Sequence, residues 1–167
     1  AGLDPGDVLV CEKIAIGPEE TSGQLFDRVA AVGARVLCET VPKIAAGTLT
    51  PMPQDHDAAT LAPPLSKEMA QFQWTDSAAH IHNWVRGMNP WPSAWFVTAA
   101  GRKVKVTDSR VAESSGQAPG TVIALKPLTV ACADGAVQLL HLVPEGSKPM
   151  EGSAFAAGLR LKAGDTL

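Results

Sequence analysis

Tyrosine is absent from this 167-residue chain, and aromatic residues of every kind make up 5% of it, so ring packing or base stacking rests chiefly on four tryptophans. Cysteine is scarce. Three residues, Cys11, Cys38 and Cys132, are an odd number at wide, unpatterned spacing, which excludes a disulfide framework and a CxxC metal site and reads as buried or inert thiols of a reducing compartment. No run of about 18 apolar residues exists, and the N-terminus lacks the basic-then-apolar layout of a signal peptide, so a soluble, cytoplasmic protein with no membrane partner is expected. Charge is modest at 19%, and the net value of −3 argues against a generic nucleic-acid binder, which needs clustered Lys and Arg.

What is present allows a packed core. Hydrophobic residues make up 46% of a 17.4 kDa chain, which suits one full domain plus a remnant. The charge is unevenly spread. Residues 1–68 hold 5 Lys+Arg against 10 Asp+Glu, a net −5, while residues 69–167 hold 9 against 7, a net +2. Only the second part can present a basic face.

Pattern divides the chain at a proline-rich stretch. After an Asp-Pro-Gly turn, Val8, Val10, Ile14 and Ile16 share one parity and predict a strand over residues 8–16. Thr21 with Gln24 three residues on is a capping box, and Leu25, Val29, Val32, Val36, Leu37, Val41 and Ile44 form a helical stripe up to Gly47. Gly33 and Pro42 predict that this stripe forms two shorter helices or one bent one. Residues 48–68 contain four prolines and read as a linker between a first unit, 1–47, and a second, 69–167.

Thr75 and Asp76 are expected to cap a helix whose Ala78, Ile81, Val85 and Met88 form an apolar stripe, ended by Asn89-Pro90. Five short strands follow, at 94–98, 103–111, 121–125, 128–132 and 136–143, with a helical turn near 153–157. That pattern predicts a small barrel or sandwich.

Three segments, in this order, resemble the methionyl-tRNA formyltransferase family: Leu3-Asp4-Pro5-Gly6, then Ala62-Pro63-Pro64-Leu65-Ser66-Lys67-Glu68 leading to Ile81-His82-Asn83-Trp84-Val85-Arg86-Gly87-Met88-Asn89-Pro90-Trp91-Pro92-Ser93-Ala94-Trp95, and Ala131-Cys132-Ala133-Asp134-Gly135-Ala136. The Asn-Pro-Trp-Pro-x-Ala-Trp run after the Ile-His helix is the specific element. The resemblance spans essentially the whole chain, with departures at Leu61, where an aromatic is usual, Pro64, where a basic residue is common, and Pro42 within a helix.

By that resemblance the fold is an α/β remnant of a Rossmann-like formyltransferase domain followed by a small OB-like β-barrel domain, α+β overall. The resemblance implies transfer of a formyl group from 10-formyltetrahydrofolate, a folate cosubstrate, to the amino group of initiator methionyl-tRNA, by a full-length protein that is a monomer and uses no metal. Asp4 matches the family's third catalytic residue, a carboxylate that orients and charge-stabilises a His while His and Asn hold the oxyanion. The matching Asn and His would precede Ala1, so the chain alone is expected to be inactive. Read without the resemblance, Asp4 caps its own turn.

Lys67, Arg86, Arg102, Lys103 and Lys105 are the candidate tRNA-phosphate contacts. The plainer alternative is a solvated hairpin, because Lys103 and Lys105 alternate onto one face and would keep an edge strand soluble. The four tryptophans read as core packing in preference to stacking platforms. His80 and His82, two apart on a helix, point to nearly opposite sides and do not form a metal pair. Rival readings are a sugar-amine formyltransferase, a formyltetrahydrofolate dehydrogenase, to which Ile81-His82-Asn83-Trp84-Val85-Arg86-Gly87 is close, and a stand-alone, non-catalytic tRNA-binding module.

Overall fold

The computed structural model describes residues 6–114 and 116–167, so Asp4 lies outside the described residues. The chain forms two compact units, Ala1–Pro64 and Leu65–Leu167.

The first unit is built on helix α1, Ser22–Ala45. Its start follows the expected capping box: Thr21 Oγ1 accepts from the Gln24 N–H at 3.3 Å and Gln24 Oε1 accepts from the Thr21 N–H at 3.0 Å. Its end is a Schellman arrangement in which Gly47 takes φ +64°, the Gly47 N–H donates to Ile44 O and the Thr48 N–H donates to Lys43 O. The helix runs through Gly33 and Pro42 as one element, so of the two expected forms, two shorter helices or one bent one, the first does not occur. Pro42 sits in the last turn, so the bond that its missing N–H forfeits lies next to the point where the helix ends in any case.

The strand expected over residues 8–16 does not form either. Only Val8 is bridged, to Met52, through Val8 N–H to Met52 O at 2.8 Å and Met52 N–H to Val8 O at 2.9 Å. A strand exists only as one member of a ladder, and among the described residues none runs beside this segment. Two arginines of α1 hold it instead: Arg28 Nη2 donates to Ala15 O at 2.6 Å, and Arg35 Nη2 pairs with Glu12 Oε1 at 2.6 Å. The outer stripe of α1 stays bare, with Phe26 75%, Leu37 61%, Val41 52% and Ile44 51% exposed.

The second unit holds the core. One six-stranded antiparallel sheet has the order β1-β2-β5-β4-β3, from β1 Trp95–Val97, β2 Lys103–Ala112, β3 Val122–Leu125, β4 Leu128–Ala131 and β5 Ala136–Pro144, with β6 Met150–Glu151 pairing β5. The five expected strands all belong to this one antiparallel sheet, with helices α2, Ala78–Gly87, and α3, Gly152–Gly158, packed against it. The alternation in β2 is decisive: Val104 and Val106 are fully buried while Lys103 and Lys105 face outward. Ala78, Ile81 and Val85 of α2 and its C-cap Met88 are buried as the helical period requires.

Long-range contacts set the caps and connectors. The N-cap of α2 is Ser77, whose Oγ accepts from the His80 N–H, in place of Thr75 or Asp76. Asp134, from the β4–β5 turn, accepts the Ala78 N–H at 2.8 Å and caps the same helix from outside. The Asn-Pro-Trp-Pro run joins α2 to β1, and Asn89 Nδ2 donates to Thr107 O at 2.9 Å where a β-bulge interrupts β2. Asn89 is therefore part of the sheet's hydrogen bonding, which gives that motif a structural task.

Candidate functional site

Pairing register decides which charges meet. Trp95 of β1 stands opposite Lys105 of β2, and Lys105 stands opposite Val143 of β5, so these side chains share the outward face of the sheet. Val97 and Lys103 form the next pair on that face. The turn after β5 rises beside them, and together Lys67, Lys103 and Lys105 line a depression of about 330 Å³ whose other walls are Val143, Pro144 and the Glu145–Ser147 turn. Three of the five predicted phosphate contacts are thus gathered into one place.

Arg102 has a different task. Its Nη2 donates to Glu145 O at 2.9 Å and to Ser147 Oγ at 2.8 Å, so it shapes the turn that forms the wall. Arg86 is not among the residues lining the depression; its Nη2 donates to Asn83 Oδ1 at 2.6 Å on α2. Asp4, outside the described residues, has no geometry to report.

Of the cations in the depression, Lys67 and Lys105 are exposed. Lys103 is half-buried because its Nζ lies 3.7 Å from the centroid of the Trp95 ring, a cation–π contact worth about 0.5–1 kcal/mol at such sites. That ammonium covers one face of the indole, leaving Trp95 unsuited to base stacking there. The Glu68 carboxyl is held below the usual carboxylate range, first by a backbone hydrogen bond and the Ser66 hydroxyl, with Lys67 and Lys103 adding to the pull. A face of this kind suits phosphodiester oxygens better than base edges: it offers flexible point charges and no planar donor-acceptor pattern.

The tryptophans divide by role. Trp74 packs edge-on to Phe72 at 5.2 Å and lies 4.9 Å from Phe96, so core packing holds for it. Trp91 is 55% exposed, against the core-packing expectation. Trp84 and Trp95 pack partly against the core and also use their indole N–H groups: Trp84 Nε1 donates to Met69 O at 3.1 Å, and Trp95 Nε1 donates to Lys67 O at 2.8 Å. Sequence reasoning missed this pair, since neither acceptor carries a side-chain signal.

The histidines go to separate environments. His82 is buried with Nδ1 3.0 Å from Ser109 Oγ, and His80 stacks on Trp84 at 5.2 Å. Cys132 is buried, and desolvation, with help from Asp134, pushes its thiol up to about 12. Cys11 and Cys38 are exposed, so of the two expected alternatives, buried or inert, burial holds for Cys132 and not for these two. Among the described residues no cluster of three metal-ligating side chains occurs. Two further depressions carry mixed or acidic charge: one of about 340 Å³ beside Lys126, His141 and Glu151, and one of about 460 Å³ beside Glu113 and Asp134.

Comparison with known proteins adds three findings. Residues 64–160 match the family described as "Formyl transferase, C-terminal domain". Over 168 residues the chain is 42% identical to a methionyl-tRNA formyltransferase of Solibacter usitatus, covering 100% of this chain and 54% of that protein, and 40% identical to one of Carboxydothermus hydrogenoformans, covering 99% and 54%. The chain spans about half the length of the curated relatives it matches. Among solved structures, HypX from Aquifex aeolicus in complex with tetrahydrofolic acid aligns with a TM-score of 0.70 at 19% identity, over 98% of this chain and 30% of HypX, a likeness of fold alone.

Proposed function

From the premise that this chain belongs to the formyl transferase C-terminal domain family, we propose that it is the C-terminal part of a methionyl-tRNA formyltransferase and that its lysine-lined depression receives tRNA phosphates. The observation that carries the reading is the 42% identity extending over the full chain, which includes the Asp4 segment as well as the second unit. The whole protein would move a formyl group from 10-formyltetrahydrofolate to the amino group of initiator methionyl-tRNA. Its setting would be the bacterial cytoplasm, and its form a monomer.

In that division of labour, residues 1–47 end the formyl-transferring domain, 48–68 connect, and 69–167 handle the tRNA. The bare apolar stripe of α1 supports reading the first unit as the last crossover of a Rossmann-like sheet, because an amphipathic helix of that kind normally covers sheet. The antiparallel sheet of the second unit is read as an OB-like barrel, a fold whose face and loops commonly take nucleic acid. Of the residues of this chain, Asp4 alone is assigned to the chemistry. The substrate amine must lose a proton and the folate nitrogen gain one, and a carboxylate that fixes the tautomer of a neighbouring imidazole serves both steps. Lys67, Lys103 and Lys105 would position the tRNA without reading its sequence.

The test is formylation of methionyl-tRNA by the full-length protein, compared with the D4N variant and with this chain alone. Full activity in the first, a loss on the order of 10³-fold in kcat with unchanged tRNA affinity in the second, and no turnover in the third are expected. A full-length protein that formylates a nucleotide sugar and shows no salt-dependent tRNA binding would transfer the reading to the sugar-amine enzymes.

A further inference from the structure

We infer that Trp84 and Trp95 are positioning residues for the anion site: their two indole N–H groups clamp the arm Ser66–Met69 and thereby hold the Lys67 ammonium over the depression. The inference rests on the proposed role of that depression. Lys67 belongs to no strand or helix, and a lysine on a free arm contributes little to a binding site because its chain must be ordered on binding. None of the arm is fully buried, with Leu65 41% and Met69 39% exposed and both Lys67 and Glu68 exposed. Firm anchorage starts only at Ala70, fully buried, where the Trp95 N–H donates to Ala70 O and the Phe72 N–H donates to Trp95 O.

Upstream of that point, besides the Gln71 N–H that donates to Glu68 O at 3.2 Å, three bonds fix the arm. Met69 N–H donates to Ser66 Oγ at 3.3 Å, closing a local turn, while the two indoles reach in from different elements. Trp84 approaches from α2 and takes Met69 O; Trp95 approaches from β1 and takes Lys67 O. Because both acceptors are backbone carbonyls, the clamp fixes the chain path whatever the side chains are. Trp95 is linked to a second lysine of the site through its ring, which lies 3.7 Å from Lys103 Nζ. One indole therefore orients two of the three cations.

Replacing Trp84 by Phe keeps a ring in the helix–sheet packing and removes the donor, without touching Lys103. Initiator tRNA binding is measured as a function of salt for the full-length protein, W84F, K67Q, K103Q, K105Q and the W84F/K67Q double variant. K67Q is expected to weaken binding about five-fold and to flatten the slope of log K against log salt by about 0.9. W84F should give about half of that loss in K and part of the slope change, and in the K67Q background it should change nothing further. Trypsin should also cut after Lys67 faster in W84F than in the parent, a readout that needs no tRNA.

Equal losses from W84F with and without Lys67, or an unchanged trypsin rate, would overturn the clamp while leaving the anion site standing. A silent K67Q with effective K103Q and K105Q would remove Lys67, and the clamp with it, from the site. Silence of all three lysine variants would overturn the tRNA reading itself.

Discussion

Gly152 opens helix α3 at a point where the helix touches the backbone of β5. A Cβ built on it would lie 1.9 Å from Leu139 O, 3.0 Å from Leu139 C and 3.2 Å from Leu128 Cβ. Real Cβ contacts stay beyond 3.0 Å, so G152A must move α3 off the sheet by at least about 1 Å or deform the centre of β5. The obstructing atoms are main chain at the point where β5 pairs with β4 through Leu128 and Leu139, and they cannot swing aside as a side-chain end would. Lifting α3 exposes part of Phe155 and Ala156, which are 3% and 2% exposed in place. Partial loss of one phenylalanine's burial, the overpacking strain at Leu139 and a strained ladder bond together amount to about 3–4 kcal/mol. In a unit of this size that lowers the melting temperature by about 15 °C or more. All four tryptophans lie in the second unit, so indole fluorescence in a denaturant or thermal scan follows that unit specifically. A G152A variant within about 1 kcal/mol of the parent would refute the argument from close approach.

Asn89→Ala strips the donor from Thr107 O at the β2 bulge and should cost about 1–2 kcal/mol, read by the same fluorescence, whereas Ala99→Ser in the exposed β1–β2 turn should be neutral. Asp134→Ala removes the outside cap of α2 and should cost about 1 kcal/mol; Asp134→Asn, which keeps an acceptor oxygen, should recover most of it. Iodoacetamide at pH 8 should label the exposed Cys11 and Cys38 and spare Cys132 until the second unit unfolds, as intact-mass analysis would show. The folded thiol of Cys132 ionises near 12 against an ordinary 9.0, so between those values the unfolded chain binds fewer protons and stability falls as pH rises. C132A should remove that part of the alkaline slope, measured as denaturation midpoints from pH 8.5 to 11.

Local chemistry was legible wherever a motif closes within a few residues. The Thr21–Gln24 box, the Gly47 stop, the buried stripe of α2 and the five strand positions depend on short-range periodicity and turn residues, and the sequence alone determined them. The lysines at 67, 103 and 105 could be named as candidates for the same reason, from type and alternation. Their convergence could not. It depends on the register that sets Trp95 opposite Lys105 and on two indole bonds spanning 15 and 28 residues, while the equally plausible Arg102 was drawn into holding a turn 43 residues away. Residues 8–16 make the converse case: they have strand parity, but among the described residues only the Val8–Met52 bridge pairs them and no ladder follows, since strand formation is decided between segments and not within one. Backbone carbonyls as acceptors, and the partner across a sheet, carry no mark in the sequence; only the tertiary structure decides which donor meets them.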